Sequence, residues 1–238
     1  MTPARILKLS EAADGWYELC LEAGRLAGEL EPGQALVVHH HPGTKPARPA
    51  VRNASALTGW VDVLFFGDDP AHRWLTTLTA GDELHADGPV GRPIHLPEDT
   101  SQLVAIGQDA PGIALTFLLE RFRQQSDQAI AFFEWTASMP FRPRPSRFMI
   151  PGMPPHVIAA DPLLESWSIP SRLAAGTPRP GCHEGSATEL LGDWLDATAG
   201  QARRGTVVVS AGPATLAREV ERLCQANGVV HIHHPDPL

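Results

Sequence analysis

Residues 80–120, AGDELHADGPVGRPIHLPEDTSQLVAIGQDAPGIALTFLLE, hold the spacing best suited to chemistry. A short apolar strand at 103–106 runs into a glycine-bearing turn from Gly107 to Gly112, and the turn opens into a helical run. A strand, a tight Gly turn and a helix aim backbone N–H groups at a phosphate. Upstream, Gly88-Pro89-Val90-Gly91 bends the chain at the end of another apolar segment. Histidine forms two groups, His39-His40-His41 and His231, His233, His234. Alternation along a strand puts His39 with His41, and His231 with His233, on one face. Neither group has a carboxylate at zinc-site spacing, so no metal site is assigned. His183-Glu184 follows Cys182 but lacks the second histidine of an H-E-x-x-H pair, and no triad is visible.

The rest of the chain must position that stretch. At 238 residues it holds one large domain or two small ones, each able to bury a core. Hydrophobic residues at 43% and charged residues at 19% are ordinary for a globular protein. A net charge of −8 argues against a nucleic-acid partner, which calls for a basic face. The 23 prolines and 21 glycines imply many turns and argue against a helix bundle. Three scattered cysteines, Cys20, Cys182 and Cys224, exclude a dense disulfide framework and a local zinc or iron–sulfur motif. The opening MTPARILKLSEA lacks an apolar signal core, and no run approaches about eighteen apolar residues. A cytoplasmic, soluble protein with no membrane partner is expected.

Residues 4–22 read as a hairpin turning at Asp14-Gly15, followed by a loop at 25–30, a strand at 35–39 and a Pro-rich connector at 42–50. Strands at 60–66 and 83–86, with a short helix at 72–78 between them, complete what reads as a small antiparallel barrel. Beyond residue 100 continuous apolar strands at 103–106, 129–135, 207–210 and 229–233 alternate with helical runs at 112–125, 183–197 and 214–226. That rhythm indicates a parallel sheet covered on both faces. Trp135 and Trp194 read as core. Residues 137–182, rich in Pro and Arg with weak periodicity, read as an irregular insertion.

ARILKLSEAADGWYELCLEA, Leu30-Glu31-Pro32-Gly33-Gln34, LTAGDELHADGPVGRPIHLP, LVAIGQDAPGIALTFLLERF and VVVSAGPATLAREVERLC, in this order, resemble the ferredoxin–NADP reductase family. Within that family they are most similar to the electron-transfer subunit of dihydroorotate dehydrogenase. The resemblance implies a two-domain, ferredoxin reductase-like fold: an antiparallel β-barrel of the flavin-binding type at 1–98, followed by an α/β parallel-sheet domain of the NAD(P)-binding type at 99–238. It implies FAD or FMN in the barrel, NAD(P)H in the second domain, and electrons passed to a redox partner protein. Carried over by position, the cofactor contacts are Arg48, Pro49, Gly88, Pro89 and Gly91 for flavin, and Gly107, Gly112, Ile113, Gly212 and Pro213 for the nucleotide.

The chain departs from the pattern where ligands are touched. The family's Arg-Pro-aromatic-Ser reads Arg48-Pro49-Ala50-Val51, losing the aromatic ring and the hydroxyl. Its Gly-Thr pair for the flavin phosphates falls near Ala71-His72, just after Asp68 and Asp69. The central glycines of its nucleotide turn are Gln108, Asp109 and Ala110, and the cysteine before Gly212-Pro213 is Ala211. No cysteine cluster for a [2Fe–2S] centre follows. Two functions remain open: an electron-transfer oxidoreductase, or the same fold without its cofactors, kept as a binding or regulatory module.

Overall fold

Strand β1 (Thr2–Ala13) and strand β2 (Trp16–Glu22) form the expected hairpin. Asp14 (φ 49°) and Gly15 (φ 81°) adopt the left-handed conformations that a two-residue turn matched to strand twist requires. This is seen in a computed structural model that describes residues 1–41, 43, 45–199 and 204–235. Residues 42 and 44 of the Pro-rich connector, and 200–203 and 236–238 of the expected second domain, lie outside the described residues. Two units divide the chain, one over Met1–Ile94 and one beginning at His95.

The first unit continues with helix α1 (Arg25–Glu29), where the sequence reads as loop, and strands β3 (Ala35–His39), β4 (Ala50–Ser55), β5 (Trp60–Phe66) and β6 (Glu83–Val90). A 3-10 turn, Arg73–Thr77, links the last two strands. The strand order is β3-β6-β1-β2-β5-β4. Val38 and Ala47 exchange backbone hydrogen bonds of 2.9 and 2.8 Å, joining β3 to the stretch before β4 and covering the sheet's edges. Ile6, Leu19, Leu21, Leu36, Phe65 and Leu84 fill the interior. Strand β4 was not legible, because Arg52-Asn53 interrupts its alternation. The β6 strand runs on through the Gly88-Pro89 bend, whose peptide is cis, rather than stopping at Ala86.

The second unit is built from strand β7 (Gln102–Gln108), helix α2 (Asp109–Phe122), strand β8 (Ala129–Trp135), two-residue strands β9 (Arg144–Pro145) and β10 (Ala159–Ala160), and helix α3 (Pro162–Ser166). Strands β11 (Ser171–Ala175) and β12 (His183–Glu184), helix α4 (Ala187–Ala197), strand β13 (Thr206–Ala211), helix α5 (Ala214–Asn227) and strand β14 (Val230–His234) follow. A parallel six-stranded sheet has the order β12-β11-β8-β7-β13-β14. Leu190, Leu191 and Trp194 of α4 and Leu216 and Val220 of α5 pack on Val104, Ile106, Phe132 and Val208 of one face. Helix α2 packs against β7, β8 and β13 on the other.

Residues 137–182 are not an irregular insertion: β11 is a buried strand paired to Ala131–Trp135. Its apolar signal is masked by Ser171 and Arg172, whose polarity is met locally. The Asp161 amide donates to Ser171 Oγ (3.1 Å), and Arg172 donates to the carbonyls of Ser171 and Phe148 (2.7 Å each). The helix read at 183–197 starts only at Ala187, where Ser186 accepts the Glu189 amide at 3.3 Å. No helix of the described residues is long and apolar enough to cross a membrane.

Candidate functional site

From β7 the chain crosses to β8 on one side, while β13 lies on the other. Ligands of open α/β sheets bind where strand order diverges in this way, at the carboxyl ends of the strands. Those ends bring Gly107, Gly112, Gly212 and Pro213 together. Ala211 pairs with Gly107, and a Cβ on Gly107 would lie 2.5 Å from Gly112 Cα. A Cβ on Gly112 would in turn lie 3.2 Å from the Gly107 backbone. These two glycines let α2 lie directly on β7. Gly212 (φ 151°) would push a Cβ to 2.9 Å from Leu216 Cδ2 and 3.2 Å from Gln108 Cβ. Pro213 sits at the α5 N-cap position, and Ile113 turns into the core.

The positions between the glycines carry the surprise. Asp109 keeps a left-handed backbone (φ 52°) that glycine adopts without cost. Its carboxylate accepts from the Thr136 amide (2.9 Å) and the Thr136 hydroxyl (2.7 Å), bridging the start of α2 to the end of β8. Glu134 accepts from Gln108 Nε2 through one oxygen and from the Ala187 amide through the other, both at 3.0 Å. The second bond places a carboxylate on the first turn of α4. Burial pushes the Glu134 carboxyl above its ordinary value; the Ala187 hydrogen bond opposes this, and the charges of Asp109 and Glu189 add to it. Glu189 is itself bound to His183 Nε2 at 2.6 Å. Sequence reasoning noted Asp109 and missed Glu134 and Thr136, which lie on a neighbouring strand with no motif around them.

A dinucleotide pyrophosphate needs free amides at such helix starts and no competing negative charge. Each carboxylate within about 4 Å costs a phosphate on the order of 4 kcal/mol at an effective dielectric of ~20. Asp109 lies in the turn itself and Glu134 holds the Gln108 side chain beside it, so competing negative charge stands at the seat and the residues present do not fit the group.

The barrel repeats the arrangement. Asp69 Oδ1 accepts the Ala71 amide at 2.7 Å, at the start of the 3-10 turn where the family's flavin phosphates are expected. Val51 is buried in the barrel and Ala50 half-buried, so neither offers a ring or a hydroxyl to a flavin. His72 packs edge-on to Phe65 with ring centroids 5.7 Å apart. Burial holds the His72 imidazole below its usual value, opposed by Asp69 and by the backbones of Arg48 and Phe66. His40 stacks parallel on Trp74, centroids 5.4 Å apart, and on His41 at 4.3 Å. Arg48 is exposed and Pro49 buried. The bend keeps a structural role. A Cβ on Gly88 (φ 150°) would lie 3.3 Å from the Ala35 carbonyl, Val90 beside Pro89 pairs with Ala35, and the Gly91 carbonyl accepts from Gln34 Nε2 at 3.3 Å. A flavin diphosphate, like the pyrophosphate, does not fit the residues present.

No protein-family model and no curated protein matches the chain. Solved structures do. An NADH-dependent reduced ferredoxin-NADP oxidoreductase matches with a TM-score of 0.71 at 13% identity, over 96% of this chain and 74% of that one. A Neisseria gonorrhoeae ferredoxin NADP+ reductase with bound FAD and NADP gives 0.63 at 12% identity, over 98% of both chains. The cytochrome b5 reductase domain of Ulva prolifera nitrate reductase gives 0.65 at 14% identity, over 98% and 96%. The fold is therefore that of the ferredoxin reductase-like proteins, an antiparallel barrel sheet followed by a parallel sheet with helices.

Proposed function

We propose that this chain is a ferredoxin reductase-like module that works by binding or regulation rather than by flavin- and NAD(P)H-dependent electron transfer. One observation carries the reading: the chain's own carboxylates stand at the two phosphate seats that the resemblance implies, Asp69 taking the Ala71 amide in the barrel, and Asp109 in the turn before α2 with Glu134 holding Gln108 beside it. The test is titration of the purified chain with FAD, FMN, NADH and NADPH. None should bind, and the variant Asp109→Gly/Glu134→Gln should gain affinity for NADH or NADPH. Tight binding of FAD and NADPH by the native chain overturns the reading.

A second reading keeps the chemistry: an oxidoreductase with flavin in the first domain (1–98) and NAD(P)H in the second (99–238), passing electrons to a partner protein. The retained Gly88-Pro89-Val90-Gly91 bend, the Gly107/Gly112 and Gly212-Pro213 turns and the exposed Arg48 favour it. On that reading Arg48→Ala lowers flavin content with the fold intact. On either reading the order of motifs supports kinship with the electron-transfer subunit of dihydroorotate dehydrogenase.

A further inference from the structure

The histidines of β14 meet a serine that no sequence motif singles out. Ser210 of β13 pairs in register with His233, and His231 lies two residues earlier on the same face. Both imidazoles converge on the Ser210 hydroxyl, His231 Nε2 at 2.8 Å and His233 Nδ1 at 3.0 Å. On its other side His231 Nδ1 reaches Glu221 Oε2 of α5 at 2.6 Å. Ser210, His231 and Glu221 thus carry the contacts of a hydrolytic triad. Ser210, however, is 0% exposed and lies mid-strand between two hydrogen-bonded neighbours. Its hydroxyl is an anchor for two rings, not a nucleophile.

The anchoring sets a direction. A carboxylate only accepts, so His231 Nδ1 donates to Glu221; in the singly protonated ring Nε2 then accepts, and the Ser210 hydroxyl donates to it. The one hydroxyl proton being used, Ser210 accepts from His233 Nδ1–H. His233 Nε2 is left as a bare acceptor on an exposed ring. That ring lines a cleft of about 510 Å³ between α5 and β14, together with His231 and with Arg218, Glu221, Arg222 and Gln225. Arg222 is bound to Glu219 at 2.6 Å, and Glu221 to His231 and Gln225. Among the described residues Arg218 makes no ion pair. A chain of net charge −8 therefore concentrates an unpaired guanidinium and two imidazoles in one cleft.

We propose that this cleft binds a small phosphate monoester, with the Arg218 guanidinium and His233 Nε2 as its contacts. A phosphate offers three acceptor oxygens, enough for a guanidinium fork and an imidazole donor together. Its second ionisation near pH 6 lets it share a proton with an imidazole. Burial and the neighbouring His231 hold the His233 imidazole below its usual value, against the Ser210 backbone. The other groups facing it are Arg218, Glu221, Arg222 and Gln225 of α5 and the Ser210 hydroxyl. Bound phosphate supplies His233 Nε2 with the partner that keeps a proton there, so affinity rises as pH falls. None of this depends on the cofactor seats, and its failure leaves the reading of those seats untouched.

The test is titration of the full chain with phenyl phosphate, followed by the histidine ring resonances in NMR. Saturable shifts of His233 are expected, with at least tenfold tighter binding near pH 6 than near pH 8. Arg218→Ala and His233→Asn should each weaken binding tenfold or more, while Arg204→Ala, an exposed cation elsewhere, should leave it unchanged. An unmoved His233, an equal loss in Arg204→Ala, or tighter binding of benzoate than of phenyl phosphate overturns the proposal.

Discussion

Asp109 spends backbone strain to hold its carboxylate in place. A left-handed non-glycine residue costs about 1 kcal/mol or more, and the two bonds to Thr136 offset it. Asp109→Ala keeps the strain and loses the bonds, so it should destabilise by about 2 kcal/mol. Asp109→Gly loses the bonds but also the strain, and should be the more stable of the two by about 1 kcal/mol. Urea denaturation orders them, and an Ala variant as stable as the Gly variant would contradict the account. The same cluster makes a pH prediction. Because Glu134 binds its proton more tightly folded than unfolded, its contribution is fully present below its ordinary value of 4.5 and lost as pH rises through the folded value. Carboxyl NMR should find Glu134 titrating above 4.5, and moving down in Asp109→Asn. A titration at or below that value removes the crowding argued for this site.

At the scale of elements, the glycines divide by what they touch. Gly107 and Gly112 serve the packing of α2 on β7, whereas Gln108, Asp109 and Ala110 stand where the resemblance implies further glycines. Gly107→Ala, with a Cβ 2.5 Å from Gly112 Cα, should destabilise by about 2 kcal/mol or more. Gly192→Ala, in the middle of α4 with its nearest neighbour at 3.8 Å, should stabilise by about 0.5–1 kcal/mol. Thermal unfolding of the pair separates packing glycines from replaceable ones; equal shifts would sink the distinction. This division was only half legible in the sequence. Spacing marks Gly107 and Gly112, but Glu134 reaches the turn from β8 and Ala187 from α4, and such convergence has no linear signature. Strand β11 escaped for a related reason, since Ser171 and Arg172 look like loop until their hydrogen-bond partners are seen.

For the molecule as a whole, the proposed function separates fold from chemistry. Hairpin turn, apolar strands and Gly-bearing turns sufficed to read an antiparallel barrel followed by a parallel sheet, because periodicity and turn chemistry are local. The fold is that of proteins built around a flavin and a nicotinamide nucleotide, yet fold alone does not carry their chemistry. On the proposed function, what decides is whether the phosphate seats are free of competing charge, with Asp69, Asp109 and Glu134 standing at them. The most direct measurement is the visible absorbance of the purified chain after incubation with excess FAD and desalting, before and after addition of NADPH. The account predicts a colourless protein with no retained flavin. Stoichiometric flavin bands that bleach with NADPH would contradict it and make the chain a working reductase.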